Sequence, residues 1–130
     1  MVAFDTNVVV RLLLRDDAAQ AKKAEHAFLR HARGEGVFLP LVVIVETAWV
    51  LAYTYELSRS AIHDHLLALT RTRGVVVDEA ERVQEALDAY ATRAADFADY
   101  VILAGTRRVG CKALLTFDRR LGRERGVSAL

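Results

Sequence analysis

The sequence predicts an α/β fold built on a parallel sheet covered on both faces. Short apolar runs alternate with longer helical runs along the whole chain. No repeat, low-complexity stretch or linker interrupts that alternation. The chain has 130 residues, 53% of them hydrophobic and 27% charged, enough to bury a core in one domain, 1–130, without disulfides or metal staples.

Val2 to Phe4 is a short apolar strand ending at Asp5, and Val8 to Leu14 begins a short helix. Ala18 to Ala32 is rich in Ala, Lys, Glu and Leu, a strongly helical stretch stopped by Gly34 and Gly36. Val37 to Leu39 is a second strand, and Pro40 opens the next helix. That helix, Leu41 to Tyr53, is apolar on almost every side, which predicts burial. Ser58 to Thr72 carries Ile62, Leu66 and Leu69 on one stripe, and Val75 to Val77 is a third strand. Glu79 to Arg93 reads as an acidic amphipathic helix, and Asp96 to Val109 as another, ended by Gly110. Lys112 to Phe117 is a fourth strand and Asp118 to Arg125 a last short helix, with room for a fifth edge strand near Val127.

Eighteen basic and seventeen acidic side chains leave a net charge of +1, which argues against a polycationic nucleic-acid coat protein. The charge is uneven. Residues 78–99 carry a balance of −5 and residues 107–125 a balance of +5. Solvated helix faces explain such blocks as well as a binding surface does. A single cysteine, Cys111, forms no internal disulfide and fits a reducing cytosol. The most apolar run, Val37 to Tyr55, is broken by Pro40 and Glu46 and is no membrane span. With no targeting segment in view, a soluble cytoplasmic protein is the expectation.

The chemistry candidates are Asp5, Glu46, Asp99 and Asp118, with Asp96 as a fifth. Ligands of parallel α/β sheets gather at the carboxyl ends of the strands. Asp5 directly follows the first strand and Asp118 the fourth. Glu46 lies six residues beyond Pro40, roughly 9 Å along its helix. Helical side chains lean toward the N-terminus, so a glutamate reaches back to the strand ends. Its apolar neighbours offer it no polar face; pairing with an arginine or snorkelling to solvent is the structural alternative. Asp96 and Asp99 share a face at a helix start, where capping also accounts for them. Asp118 has the same alternative.

Carboxylates crowded at one place repel, by about 4 kcal/mol for unit charges 4 Å apart at an effective dielectric of 20. Such a cluster persists by binding protons or a hard cation. No histidines stand at metal-ligand spacing among these acids. An oxygen-only set selects Mg²⁺ or Mn²⁺ over Zn²⁺.

Asp5-Thr6-Asn7 after the first strand, Glu46-Thr47 in the third helix, Asp96-Phe97-Ala98-Asp99 at a helix start and Thr116-Phe117-Asp118 after the fourth strand follow one another in an order that resembles the PIN-domain family. The likeness is to the VapC-type toxin ribonucleases of type II toxin–antitoxin systems, and it covers essentially the whole chain. It implies a three-layer α/β/α domain with a parallel sheet of four to five short strands. It implies Mg²⁺- or Mn²⁺-dependent endonuclease activity on RNA, a homodimer, and a small antitoxin protein as partner. The family's acids carry over to Asp5, Glu46, Asp99 and Asp118, and Asp96 has a family counterpart of less uniform role. Thr6, Asn7 and Thr116 match the polar residues that orient those acids. The chain departs at Leu39-Pro40-Leu41, where the family often places Ser or Thr.

The expected mechanism follows. Asp5, Asp99 and Asp118, with Asp96 as an additional candidate, hold one or two divalent cations. Glu46 helps hold the metal or orients the attacking water. Arg107, Arg108, Arg119 and Arg120 flank Asp118 and offer contacts to the substrate backbone. Two other functions use the same features. An aspartyl-phosphate phosphatase or phosphotransferase would use Asp5 as nucleophile, although the second aspartate that pattern wants is Asn7 here. A non-catalytic module for RNA binding or dimerisation would show losses among the acids, and none is missing. The exposed side of the Leu41 to Tyr53 helix, bearing Trp49 and Tyr53 four residues apart, is the expected face for a second copy or an antitoxin segment.

Overall fold

The computed structural model describes residues 1–130, which fold as two compact units, 1–79 and 80–130. Strands and helices alternate as the α/β class requires. All strand pairs are parallel, in ladders of three and two strands.

The first unit runs β1 (Val2–Ala3), α1 (Thr6–Leu14), α2 (Ala18–Ala32), β2 (Val37–Leu39), α3 (Leu41–Tyr53), α4 (Arg59–Thr70) and β3 (Val75–Val77). The sheet order is β1-β2-β3, with Val2 opposite Val37 and Val37 opposite Val75. Helices carry the chain between neighbouring strands, which is what parallel pairing demands. Val9, Val10, Val37, Leu39, Ile44, Leu51, Ile62 and Leu66 are buried in its core.

Local signals set the helix ends. Helix α1 starts at Thr6 rather than Val8, because the Asp5 carboxylate accepts the Thr6 N–H at 2.8 Å. Asp17 caps α2 through the Gln20 N–H, and Ser58 caps α4 through the Ala61 N–H. Pro40 has no polar side chain for the start of α3. Asp78 performs that task from the end of β3, accepting the Leu41 N–H at 2.9 Å. Parallel pairing puts it there, since the Asp78 N–H donates to the Leu39 carbonyl. The unusual Leu39-Pro40-Leu41 entry is thereby capped from a neighbouring strand. Gly74 has φ +91°, and a Cβ there would lie 2.5 Å from the Ala32 Cβ and 2.8 Å from its carbonyl oxygen, so glycine is required.

The α3 helix corrects the expectation of burial on almost every side and bears out an exposed side bearing Trp49 and Tyr53. Val43, Ile44, Thr47, Ala48 and Leu51 are buried, but Val42, Trp49 and Tyr53 are 71%, 58% and 62% exposed. The helix packs against α1 and α4 and has apolar residues beyond the arc those neighbours cover. A largely apolar composition therefore left one face open.

The second unit runs α5 (Ala80–Thr92), α6 (Phe97–Val109), β4 (Leu114–Thr116), a 3₁₀ turn (Leu121–Arg123) and β5 (Val127–Ala129). The two helices bury Val83, Leu87 and Tyr90 of α5 and Phe97, Tyr100 and Leu103 of α6. Tyr90 meets Phe97 edge-on at 6.1 Å. Gly105 leaves room for the Arg82 guanidinium, which donates to the Val101 carbonyl at 2.8 Å. The last helix, expected over Asp118 to Arg125, contracts to the 3₁₀ turn. Asp118 caps it at once through the Arg120 and Leu121 N–H groups, and Glu124 is already extended toward β5.

Candidate functional site

The acids fall into two groups, one in each unit. In the first, Asp5 ends β1 and begins α1, while Glu46 projects from the second turn of α3. Both line one cleft of about 330 Å³ with Thr6, Asn7, Arg11, Thr54 and Tyr55. Asp5 spends one carboxylate oxygen on the Thr6 N–H. Glu46 is exposed and has no hydrogen-bond or ion-pair partner, so of the two structural alternatives the arginine pair is absent and the solvent-facing side chain is what the fold provides. Thr6 is 6% exposed, and its hydroxyl is buried without a protein partner. A buried orphan hydroxyl beside a carboxylate is a position that a water or ligand atom satisfies.

In the second unit Asp96 and Asp99 form a capping box at the start of α6, with the Asp96 N–H donating to Asp99 at 3.1 Å. Burial pushes the Asp99 carboxyl above its ordinary value, and the negative charges of Asp96 and Asp118 push the same way, against the bond from the Asp96 N–H. Asp118 is held below its ordinary value by hydrogen bonds from the Leu121 and Arg120 N–H groups and by the Arg120 charge. The Thr116 hydroxyl accepts the Asp118 N–H at 3.0 Å, so Thr116 orients the turn that carries that acid. Asp96, Asp99 and Asp118 thus sense one another, and the capping reading of Asp96 holds alongside its place among these acids.

The basic residues divide. Arg108 pairs with Glu85 at 2.8 Å and Arg107 with the same carboxylate at 3.7 Å; Arg107 also donates to the Arg125 carbonyl. Arg93 pairs with Glu124 at 3.1 Å. Part of the acidic block therefore neutralises part of the basic block within this unit. Arg119 and Arg120 remain exposed beside Asp118.

Two residues of the first cleft were not read from the sequence as part of the site. Arg11 and Tyr55 line it, and they lie 44 positions apart, joined by a bond of 3.0 Å. No short motif announces them. The only local trace is that Arg11 interrupts an apolar run two turns after Asp5.

The donor set suits a hard cation: oxygen ligands only, with a buried hydroxyl unsatisfied beside one of them. No three His, Cys, Asp or Glu side chains converge into a closed metal cage. Mg²⁺ does not need one, because it is held through one or two carboxylates with waters and substrate phosphates completing its shell. The residues fit such an ion.

No helix is long and apolar enough to cross a membrane. Among known proteins, a VapC ribonuclease of Aquifex aeolicus (strain VF5) is 26% identical over 88 residues, 68% of this chain. The matched part is 65% of that relative's length. A crystal structure of Mycobacterium tuberculosis VapC20, a sarcin-ricin loop cleaving toxin, aligns with 94% of this chain and 93% of its own, at 19% identity and a TM-score of 0.45. The pattern of the PIN domain matches residues 2–125, from the strand before Asp5 to beyond Asp118. That match spans nearly the whole chain, and the chain belongs to the PIN domain family.

Proposed function

We propose that this PIN domain, taken as one domain over 1–130, is a Mg²⁺- or Mn²⁺-dependent endoribonuclease and the toxin half of a toxin–antitoxin pair in the cytoplasm. One observation carries the reading. Asp5 and Glu46 stand in the same cleft with no protein cation paired to either, although Arg11 lines that cleft. Two acids left unneutralised in one cleft are a charge deficit that a divalent cation corrects.

Asp5 would hold the cation in the first unit, with Glu46 supporting it or accepting a proton from the attacking water. In the second unit Asp99 and Asp118, with Asp96 beside them, would be the candidate ligands. Thr6, Asn7 and Thr116 keep the acids oriented. When bound, the cation supplies charge compensation at the phosphoryl oxygens and acidifies a water. Arg119 and Arg120, exposed beside Asp118, fit RNA backbone contacts better than Arg107 and Arg108, which are engaged with Glu85. The open α3 face with Trp49 and Tyr53, whose ring centroids lie 5.2 Å apart, suits a second copy of the chain, and the antitoxin would bind an apolar surface of the same kind.

The experiment is incubation of purified protein with total RNA, with Mg²⁺, with Mn²⁺ and with chelator, followed by mapping of new ends. Defined ends that need the metal and vanish in Asp5→Asn are expected. Intact RNA under all conditions overturns the reading.

A further inference from the structure

We infer that Arg11 is a phosphate-binding residue of the Asp5–Glu46 cleft, a subsite for the non-bridging oxygens of an RNA phosphodiester. The inference rests on the nuclease reading above.

Arg11 is the only basic residue lining that cleft. A guanidinium close to two carboxylates ordinarily pairs with them. Here it does not. Its Nε donates to Gln20 Oε1 at 2.7 Å, and its Nη1 donates to Asp16 Oδ1 at 3.3 Å and to the Tyr55 hydroxyl at 3.0 Å. The Tyr55 hydroxyl in turn donates to Asp16 Oδ2 at 2.7 Å. Helix α1, the loop before α2, α2 itself and the chain just after α3 each contribute a member of this network.

Two consequences follow. The guanidinium is held in one orientation, with side-chain exposure of 26%, so little freedom remains to be lost on binding. Its Nη2 group also keeps both N–H donors without a protein partner, out of the five a guanidinium carries. A planar donor fixed beside two acids that lack a cation suits a ligand presenting anionic oxygens to the arginine and to a cation held by the acids. A phosphodiester has that shape of charge. Arg11 also lines the adjoining cavity of about 300 Å³ with Asn7, Gln20 and Lys23, so a strand leaving the cleft past Arg11 has space to continue. Tyr55 is a positioning residue in this scheme. It touches Arg11 and Asp16, not the substrate.

The test measures anisotropy of a fluorescein-labelled single-stranded RNA across a salt series, in the Asp5→Asn background with Mg²⁺ present, alongside cleavage by the otherwise wild-type protein. Arg11→Gln should weaken binding roughly tenfold to a hundredfold. It should also flatten the slope of log K against log salt by about 0.7, the loss of one phosphate contact on a single strand. Arg11→Lys should restore the slope but only part of the affinity, because an ammonium lacks the planar fork. Tyr55→Phe should raise KM a few-fold with the slope unchanged. If Arg11→Gln melts early, Arg11→Lys decides: affinity below wild type at an unchanged slope supports the subsite, and wild-type affinity overturns it. RNA cleaved by the wild type and bound equally well by Arg11→Gln, at the same slope, removes the subsite and leaves the nuclease standing. A wild type that neither cleaves nor binds RNA removes both.

Discussion

The main-chain N–H of Asp96 donates to the carboxylate of Asp99 at 3.1 Å, so a candidate metal ligand is also a brace for the helix that carries it. The bond fixes the side chain in a half-buried position where its charge is costly, with Asp96 and Asp118 adding repulsion.

Stability should therefore improve when that charge is removed. In the absence of divalent cations, Asp99→Asn keeps an oxygen for the Asp96 N–H and should melt at a higher temperature than wild type at pH 7. The sign follows from linkage. A carboxyl whose folded pKa is raised costs stability above that pKa, and the cost is relieved as it protonates. The gap should close as pH falls through the raised folded value and vanish below the ordinary value of 3.8. Melting curves from pH 3 to 7 check this, and a gap independent of pH contradicts it.

Divalent cations should raise the melting temperature of the wild-type protein, because only the folded chain sets Asp96 and Asp118 close enough to Asp99 to act on its charge. At a concentration ten times the dissociation constant the gain is about 1.4 kcal/mol. Asp118→Asn and Asp99→Asn should each reduce it. A thermal scan in millimolar Mg²⁺ or Mn²⁺ with no shift would show that the acids serve as helix caps only.

Asp5→Asn should lower RNA cleavage by more than about a hundredfold while leaving the fold intact. Asparagine still accepts the Thr6 N–H that starts α1 but contributes no charge to a cation. Circular dichroism and end-mapped cleavage, measured together, separate loss of chemistry from loss of structure.

Gly74→Ala should destabilise the first unit by about 2 kcal/mol or more. The new Cβ meets the backbone of Ala32, and the φ of +91° is one that side chains resist. Urea unfolding with an unchanged m-value reads this directly.

Tyr53→Arg should convert a self-associating protein to a monomer. At about 100° per residue, Val42, Trp49 and Tyr53 fall within roughly 40° of one another on α3, with Glu46 at the edge of their stripe. A charge there opposes burial of that face by a second copy. Light scattering at tens of micromolar tests it; a wild-type protein that is already monomeric contradicts the pairing.

Much of this architecture is legible from local patterns. Ala18–Ala32, Leu41–Tyr53 and Val75–Val77 have their observed ends written in composition, in Gly34 and Pro40, and in a run of three valines. The order of the acids, all but Glu46 just after a strand or at a helix start, is likewise a property of the chain, and it brought the family into view. The cap on α3 is a different matter. Asp78 lies 37 residues from Leu41, and only the parallel pairing of β2 with β3 makes them neighbours. Glu85 with Arg107 and Arg108 shows the same dependence, since two charged blocks become partners only when α5 packs on α6.

By itself, then, the sequence determined the alternation of elements and most of the helix boundaries, because propensity, capping and periodicity act over a few residues. The tertiary structure alone decided that Asp78 caps α3, that Arg11 turns to Asp16 and Tyr55, and that burial raises the Asp99 carboxyl above its ordinary value. Those outcomes depend on distances between residues far apart in the chain, and on how much water packing removes around each charge.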